Sequence, residues 1–232
     1  MDAFEIVFTS NATKSYPTHI HESSYIIGVI QKGSITITFG NENKTYKADD
    51  CFIITPNRPH SISSNADYSA VSVCIKTSVF IRLNLSIKNE IFRTLLTYIG
   101  EHLSAFQFEA LVLHLNLLFK NPALPQVTDF EPIKNFVKNT IQDKNNLDTL
   151  SALSNYSKYH FERKFKKDVG LSPHDYQIQA KIKYAKYLLI NKMPITKVAA
   201  DLGFTDQSHF NRCFKKHVGL TPKQYICSFR TV

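Results

Sequence analysis

Along the first third of the chain, apolar and polar positions alternate in short runs. Tyr25 to Ile30 is one run, and Ser34-Ile35-Thr36-Ile37-Thr38-Phe39 keeps a clean period of two before a Gly40-Asn41-Glu42-Asn43 turn. Thr45-Tyr46, Cys51 to Ile54 and Val71 to Ile75 continue the pattern. Short alternating runs separated by turn residues predict strands, and several in series predict a small sandwich or barrel. From Ile87 the period lengthens. Ile87, Ile91, Phe92, Leu95, Leu96 and Ile99 fall on one helical face, and Phe108, Leu111, Val112, Leu115, Leu118 and Phe119 on another, so two amphipathic helices are expected after the sheet. The stretch 120–128 has no period and contains Pro122 and Pro125, which marks a linker. Beyond it every segment reads as helix, beginning with Ile133, Phe136, Val137, Thr140 and Ile141 on one face.

The helical part contains a repeat. His160-Phe161-Glu162-Arg163-Lys164-Phe165-Lys166-Lys167-Asp168-Val169-Gly170-Leu171-Ser172-Pro173 returns as His209-Phe210-Asn211-Arg212-Cys213-Phe214-Lys215-Lys216-His217-Val218-Gly219-Leu220-Thr221-Pro222. In each copy two phenylalanines four residues apart share a helix face, so a basic helix is anchored from behind. Gly170 and Gly219 suit the left-handed residue after a helix, and Ser172-Pro173 and Thr221-Pro222 supply a cap and a first-turn proline for the next. Upstream, Thr149 to Leu153 and Val198 to Leu202 read as short helices. Asn155-Tyr156-Ser157 and Gly203-Phe204-Thr205 supply tight turns, with Ser157 and Thr205 or Asp206 as caps. Helix, tight turn and capped basic helix is the helix-turn-helix arrangement, whose second helix enters the DNA major groove, and it occurs twice. A joining helix from about His174 to Asn191, with Ala180, Ile182, Ala185, Leu188 and Leu189 buried, would span roughly 27 Å. That is close to the roughly 34 Å repeat of successive major-groove faces.

Charge sharpens this picture. The formal net charge is +9. Residues 1–128 contain 10 Lys+Arg and 10 Asp+Glu, so the remaining 18 cations and 9 acids of the chain's 28 and 19 lie in 129–232. The whole excess sits on the helical half, which fits a polyanionic partner. Four cysteines, Cys51, Cys74, Cys213 and Cys227, have neither C-x-x-C nor zinc-ligand spacing, and read as reduced packing residues. No signal peptide or membrane-length apolar run is visible, so a cytoplasmic protein without membrane association is expected. No phosphate-binding glycine loop, nucleophile elbow or carboxylate pair indicates an enzyme.

The second unit resembles the AraC/XylS family of transcription regulators through Val198-Ala199, Gly203-Phe204, Asp206-Gln207-Ser208, Phe210, Arg212, Phe214-Lys215, Gly219, Thr221-Pro222 and Tyr225, and the resemblance covers about residues 130–229. By position it implies that Tyr159, Glu162 and Arg163 of the first recognition helix, with Gln207, Ser208, Asn211 and Arg212 of the second, face the bases. Lys158, Lys166, Lys167, Lys215 and Lys216 are implied as phosphate contacts. Glu162 departs from simple base reading. An ionised carboxylate only accepts hydrogen bonds, so it would favour a cytosine amino group or orient Arg163.

The strand-rich half, over about residues 15–76, resembles the cupin-like sensor domain of that family. His19, His21 and His60 could hold a transition metal, but Ser24-Tyr25-Ile26 stands where metal-binding cupins have a glutamate, and the Pro-x-Gly before the last histidine is missing. No metal and no cofactor are therefore expected, and His19, His21, Tyr25 and His60 are candidates for a small-ligand or structural role. The expected fold is α+β. A small cupin-like β-barrel with two following helices forms residues 1–120, a linker 121–129, and an all-α domain with two helix-turn-helix motifs joined by a long helix 130–232. The expected function is a sequence-specific DNA-binding regulator, an activator before a repressor, controlled by a small effector or by dimerisation. The alternative is a metal-dependent cupin enzyme tethered to a DNA-binding domain. Double-stranded DNA is the expected partner, with RNA polymerase as a further candidate. Phe106 to Phe119 is apolar on more than one face, and Leu113 and Leu117 are left over for a homodimer contact.

Overall fold

The computed structural model describes residues 4–78, 97–120, 128–142 and 147–228. Two compact units form, one comprising residues 1–15 and 20–126 and the other residues 16–19 and 127–232.

The N-terminal strands make two four-stranded sheets. The first has the order β1-β8-β3-β6 and the second β2-β7-β4-β5. Their ranges are β1 Phe4–Ala12, β2 Tyr16–His19, β3 Ser24–Lys32, β4 Ser34–Phe39, β5 Glu42–Lys47, β6 Cys51–Ile54, β7 His60–Ser63 and β8 Tyr68–Lys76. The alternation of β4 sends Ile35 and Ile37 inward, where they meet Tyr46 of β5 and Ile30, Phe52, Ile54, Tyr68 and Ala70 of the first sheet. The other residues of β3 face the opposite way. Tyr25, Ile27 and Val29 join Val71, Val73 and Ile75 of β8 under Ile99 and under Leu111 and Leu115 of helix α1, Ala105–Lys120. One glycine is fixed by packing: a Cβ on Gly28 would enter the Phe52 ring of its cross-strand partner.

The expected barrel is thus an open pair of sheets, with β5 and β6 as edge strands of different sheets. Three strands absent from the sequence expectation, β1, β2 and β7, complete the sheets. Of the two expected helices, the second is α1. The first lies largely outside the described residues, as do the linker positions 121–127 and the side chains of Leu117, Leu118 and Phe119. Ser104 and Gln107 cap α1 reciprocally, with the Gln107 amide N–H donating to Ser104 Oγ at 3.2 Å and the Ser104 N–H to Gln107 Oε1 at 3.1 Å. The Gln107 side chain then donates to Asp49 Oδ1 at 2.7 Å, which pins the start of α1 to the β5–β6 turn.

The second unit is helical: α2 Glu131–Asn139, α3 Leu147–Leu153, α4 Lys158–Val169, α5 Pro173–Ile190, α6 Ile195–Asp201, α7 Gln207–Val218 and α8 Pro222–Ser228. The repeat in sequence is a repeat in packing. Phe161, Phe165 and Tyr176 pack in series with Phe130, edge-on or tilted, at centroid spacings of 5.2 to 5.9 Å. Phe210, Phe214 and Tyr225 do so with Phe204, at 5.1 to 5.6 Å. The long helix α5 buries Ile182, Ala185, Leu188 and Leu189 against Val198, Ala199, Leu202 and Phe204. Its 18 residues correspond to about 27 Å of helix. Ala180 is only half-buried.

Candidate nucleic-acid interface

Both recognition helices begin and end alike. Ser157 and Asp206 are the N-caps, and their side chains accept from the amides of His160 at 3.4 Å and His209 at 2.7 Å. Gly170 and Gly219 close the helices in the left-handed conformation, with φ of 84° and 80°. The turns before them differ. The positive-φ residue is Asn155, two residues before its cap, in the first motif, and Gly203, three before its cap, in the second. The second turn is one residue longer.

With Phe161 and Phe165 buried behind it, α4 turns Lys158, Tyr159, Glu162, Arg163, Lys166 and Lys167 to solvent. Tyr159 is 71% exposed. Its hydroxyl lies 3.5 Å from Arg163 Nη1, and the guanidinium carbon stands 5.6 Å from the ring centre, so Tyr159, and not Glu162, is the described neighbour that steadies Arg163. Lys158 is ion-paired with Asp148 of α3. Lys164, on the flank, is held by Asp168 at 3.2 Å and Asp129 at 3.3 Å.

On α7 the corresponding surface carries Gln207, Ser208, Arg212, Lys215 and Lys216, all exposed. Asn211 is half-buried, and its side-chain oxygen is enclosed with no hydrogen-bond partner among the described residues. Among the described residues no ion pair engages Lys166, Lys167, Lys215 or Lys216, so their charge is displayed toward solvent at the last turns of both helices. Burial lowers the pKa of His217 at the end of α7, and the neighbouring Lys216 charge adds to the effect.

In the N-terminal half, the potential ligand atoms of His19, His21 and His60 lie within 4.8 Å of one another. The Nδ1 atoms of His19 and His60 sit 2.8 and 2.9 Å from the carbonyl oxygens of Pro17 and Arg58. A carbonyl only accepts, so both rings donate through Nδ1 and carry their lone pair on Nε2. The rings of His21 and His60 stack at 5.3 Å. As a donor set, three neutral imidazoles suit zinc, copper or nickel. The group contains no carboxylate, and Ser24-Tyr25-Ile26 stands where metal-binding cupins have a glutamate. Tyr25, grouped with these histidines by sequence, lies on the other face of β3 beneath α1. Sequence reasoning also passed over a cavity of about 530 Å³ lined in part by Lys44, Tyr46, Arg58 and His114. The signal available was Lys44, a charged residue two before inward-facing Tyr46 on the same strand.

The folds have known counterparts. Residues 150–227 match the helix-turn-helix domain family, and residues 7–76 match the cupin domain family. The chain is 27% identical over 224 residues to YbfI, an uncharacterised HTH-type transcriptional regulator of Bacillus subtilis, covering 84% of this chain and 81% of that one. It is 30% identical over 77 residues to LumQ, a probable transcriptional regulator of Photobacterium leiognathi, covering 33% and 31% of the two chains. In three dimensions it is similar to ToxT of Vibrio cholerae, with a TM-score of 0.61 over 99% of both chains at 17% identity. No helix among the described residues is long and apolar enough to cross a membrane. The matched domains, the duplicated motif and the regulators it resembles agree: the chain is a DNA-binding transcription regulator, with a cupin domain ahead of a helix-turn-helix domain.

Proposed function

We propose that α4 and α7 read base sequence through Tyr159, Glu162 and Arg163 and through Gln207, Ser208, Asn211 and Arg212. Lys158, Lys166, Lys167, Lys215 and Lys216 hold the phosphates. The observation that carries this reading is the matched framing of the two helices: equivalent caps, equivalent aromatic anchors and cations facing solvent on each. The test is selection of bound sites from random duplexes by the full chain. Arg163→Ala and Arg212→Ala should each relax preference at one base position, with a loss of about 1–3 kcal/mol there. Equal weakening on all sequences would make them phosphate contacts.

Regulation is assigned to the N-terminal half, in a cytoplasmic protein that acts on transcription without catalysis and activates more than it represses. ToxT has been solved with an unsaturated fatty acid bound, which supports a small-molecule effector for the cupin half here. Phe106 and Leu113 are seven residues apart on one face of α1 and are 66% and 58% exposed, which supports a homodimer through that helix. A dimer raises occupancy of paired sites by effective concentration, with RNA polymerase as the downstream partner. Phe106→Glu with Leu113→Glu should give a folded monomer by light scattering that occupies paired sites more weakly; wild type already monomeric at micromolar concentration would rule the dimer out.

A further inference from the structure

The 530 Å³ cavity lies where the two sheets fail to close. β5 and β6 leave the Ala48–Asp50 turn in different sheets, so each is an edge strand and neither covers the other. Into the opening face Phe39, Glu42, Lys44 and Tyr46 from the second sheet, Cys51 and Ile53 from β6, Arg58 from the turn beyond β6, and His114 from α1. Its volume falls in the range that holds small organic ligands.

The lining is amphipathic in an ordered way. Cross-strand pairing places Lys44 opposite Ile37 and Glu42 opposite Phe39, so Lys44 and Glu42 stand on the same sheet face as the inner core, at its outer limit. The Arg58 guanidinium lies 3.8 Å from the centre of the Phe39 ring, and Lys44 Nζ is 5.1 Å from that of Tyr46, so aromatic faces hold both cations. Glu42 is 3.8 Å from Arg58, yet it is 82% exposed and offsets only one of the two positive charges. Lys44, Arg58 and Glu42 together leave net +1, two cations less one acid. His114 donates through Nδ1 to the Ala110 carbonyl at 2.8 Å, which turns Nε2 away from that bond. Cys51 and Ile53 of β6 add apolar surface to the lining. Burial, with Asp50 beside it, pushes the Cys51 thiol up to about 11, so Cys51 stays neutral next to Ile53.

We infer that this cleft binds a small organic monocarboxylate, its anionic head between Lys44 and Arg58 and its apolar body against Tyr46, Cys51 and Ile53. A monoanion brings the lining to neutrality, and the guanidinium fork matches a carboxylate in shape. The inference rests on reading the cupin half as the sensor, and it moves the ligand from the histidine cluster to the open edge of the sandwich.

The test titrates the full-length chain, without DNA, with 3-phenylpropanoate, 3-phenylpropan-1-ol and 3-phenylpropylamine, which share a body and differ in head. The carboxylate should bind, the alcohol more weakly, and the amine least. Lys44→Ala and Arg58→Ala should each weaken carboxylate binding by about tenfold, whereas Lys32→Ala, an exposed cation elsewhere on the same sheets, should leave it unchanged. Carboxylate binding that survives the Lys44→Ala, Arg58→Ala double variant, or an amine that binds as tightly as the acid, overturns the assignment. So does a carboxylate that does not bind. Because the titration contains no DNA, its failure leaves the DNA-binding reading intact, and a chain that bound no duplex would leave the titration's result standing.

Discussion

Lys164 and its neighbours Lys166 and Lys167 look alike in sequence, yet the structure separates them sharply. Lys164 is held by Asp168 and Asp129 and is 29% exposed, whereas no described ion pair engages the other two. Each lysine that neutralises a phosphate contributes about 0.9 to the slope of log affinity against log salt, through release of condensed counterions. Replacing Lys166 and Lys167 together with alanine should therefore lower the slope by about 1.8. Over a fourfold rise in salt, the loss of affinity should shrink by about tenfold relative to wild type. Lys164→Ala should leave the slope where it was, because that charge is already balanced within the protein. The assay is anisotropy of a labelled duplex carrying a selected site, titrated at several salt concentrations, with the fold checked by circular dichroism. If Lys164→Ala flattens the slope as much as Lys167→Ala does, the division between displayed and internally balanced charge is wrong.

Asp206→Ala removes the α7 cap and should cost about 1 kcal/mol in chemical denaturation, with Asp206→Asn retaining most of it. Gly28→Ala drives a methyl group into the Phe52 ring and should destabilise the N-terminal unit by about 1–3 kcal/mol, a loss that Phe52→Leu in the same chain should partly recover. Burial lowers the folded-state pKa of His217, so the unfolded chain takes up its proton first as the medium is acidified. The associated stability should be complete above the unfolded value of about 6.5 and lost as pH falls through the depressed folded value. His217→Gln should flatten that part of a melting-temperature profile, and an unchanged profile would show that another group sets it.

How much was legible in the chain varied with the local physics. β4 was plain because Ile35, Ile37 and Phe39 alternate with threonine and serine ahead of a glycine turn. β1 was not: its edge position leaves Val7 and Phe8 41% and 44% exposed, so apolar residues fall on both faces and the period-two signal is lost. β2 is four residues long and contains Pro17, and β7 is four residues long, both too short to show a period. Alternation identified Tyr25 as a strand residue but not which way the strand faced, and that choice separated it from the histidines. The helix-turn-helix units were readable almost residue by residue, since glycine, asparagine and capping residues act locally. Only the choice between Thr205 and Asp206 as cap needed coordinates. The cleft at β5 and β6 depends on two edges that diverge in space, and no local signal encodes that.

The two recognition helices share a frame but not a vocabulary. At equivalent positions α4 has Tyr159, Glu162 and Arg163 where α7 has Ser208, Asn211 and Arg212, and the turns leading into them differ by one residue. A symmetric dimer of single motifs reads the same word from both sides and so has no sense of direction. If α4 and α7 read bases as proposed, each chain carries two different words in fixed order on one polypeptide, so the site of one chain would have a head and a tail, and inverting it would be a change that chain can detect.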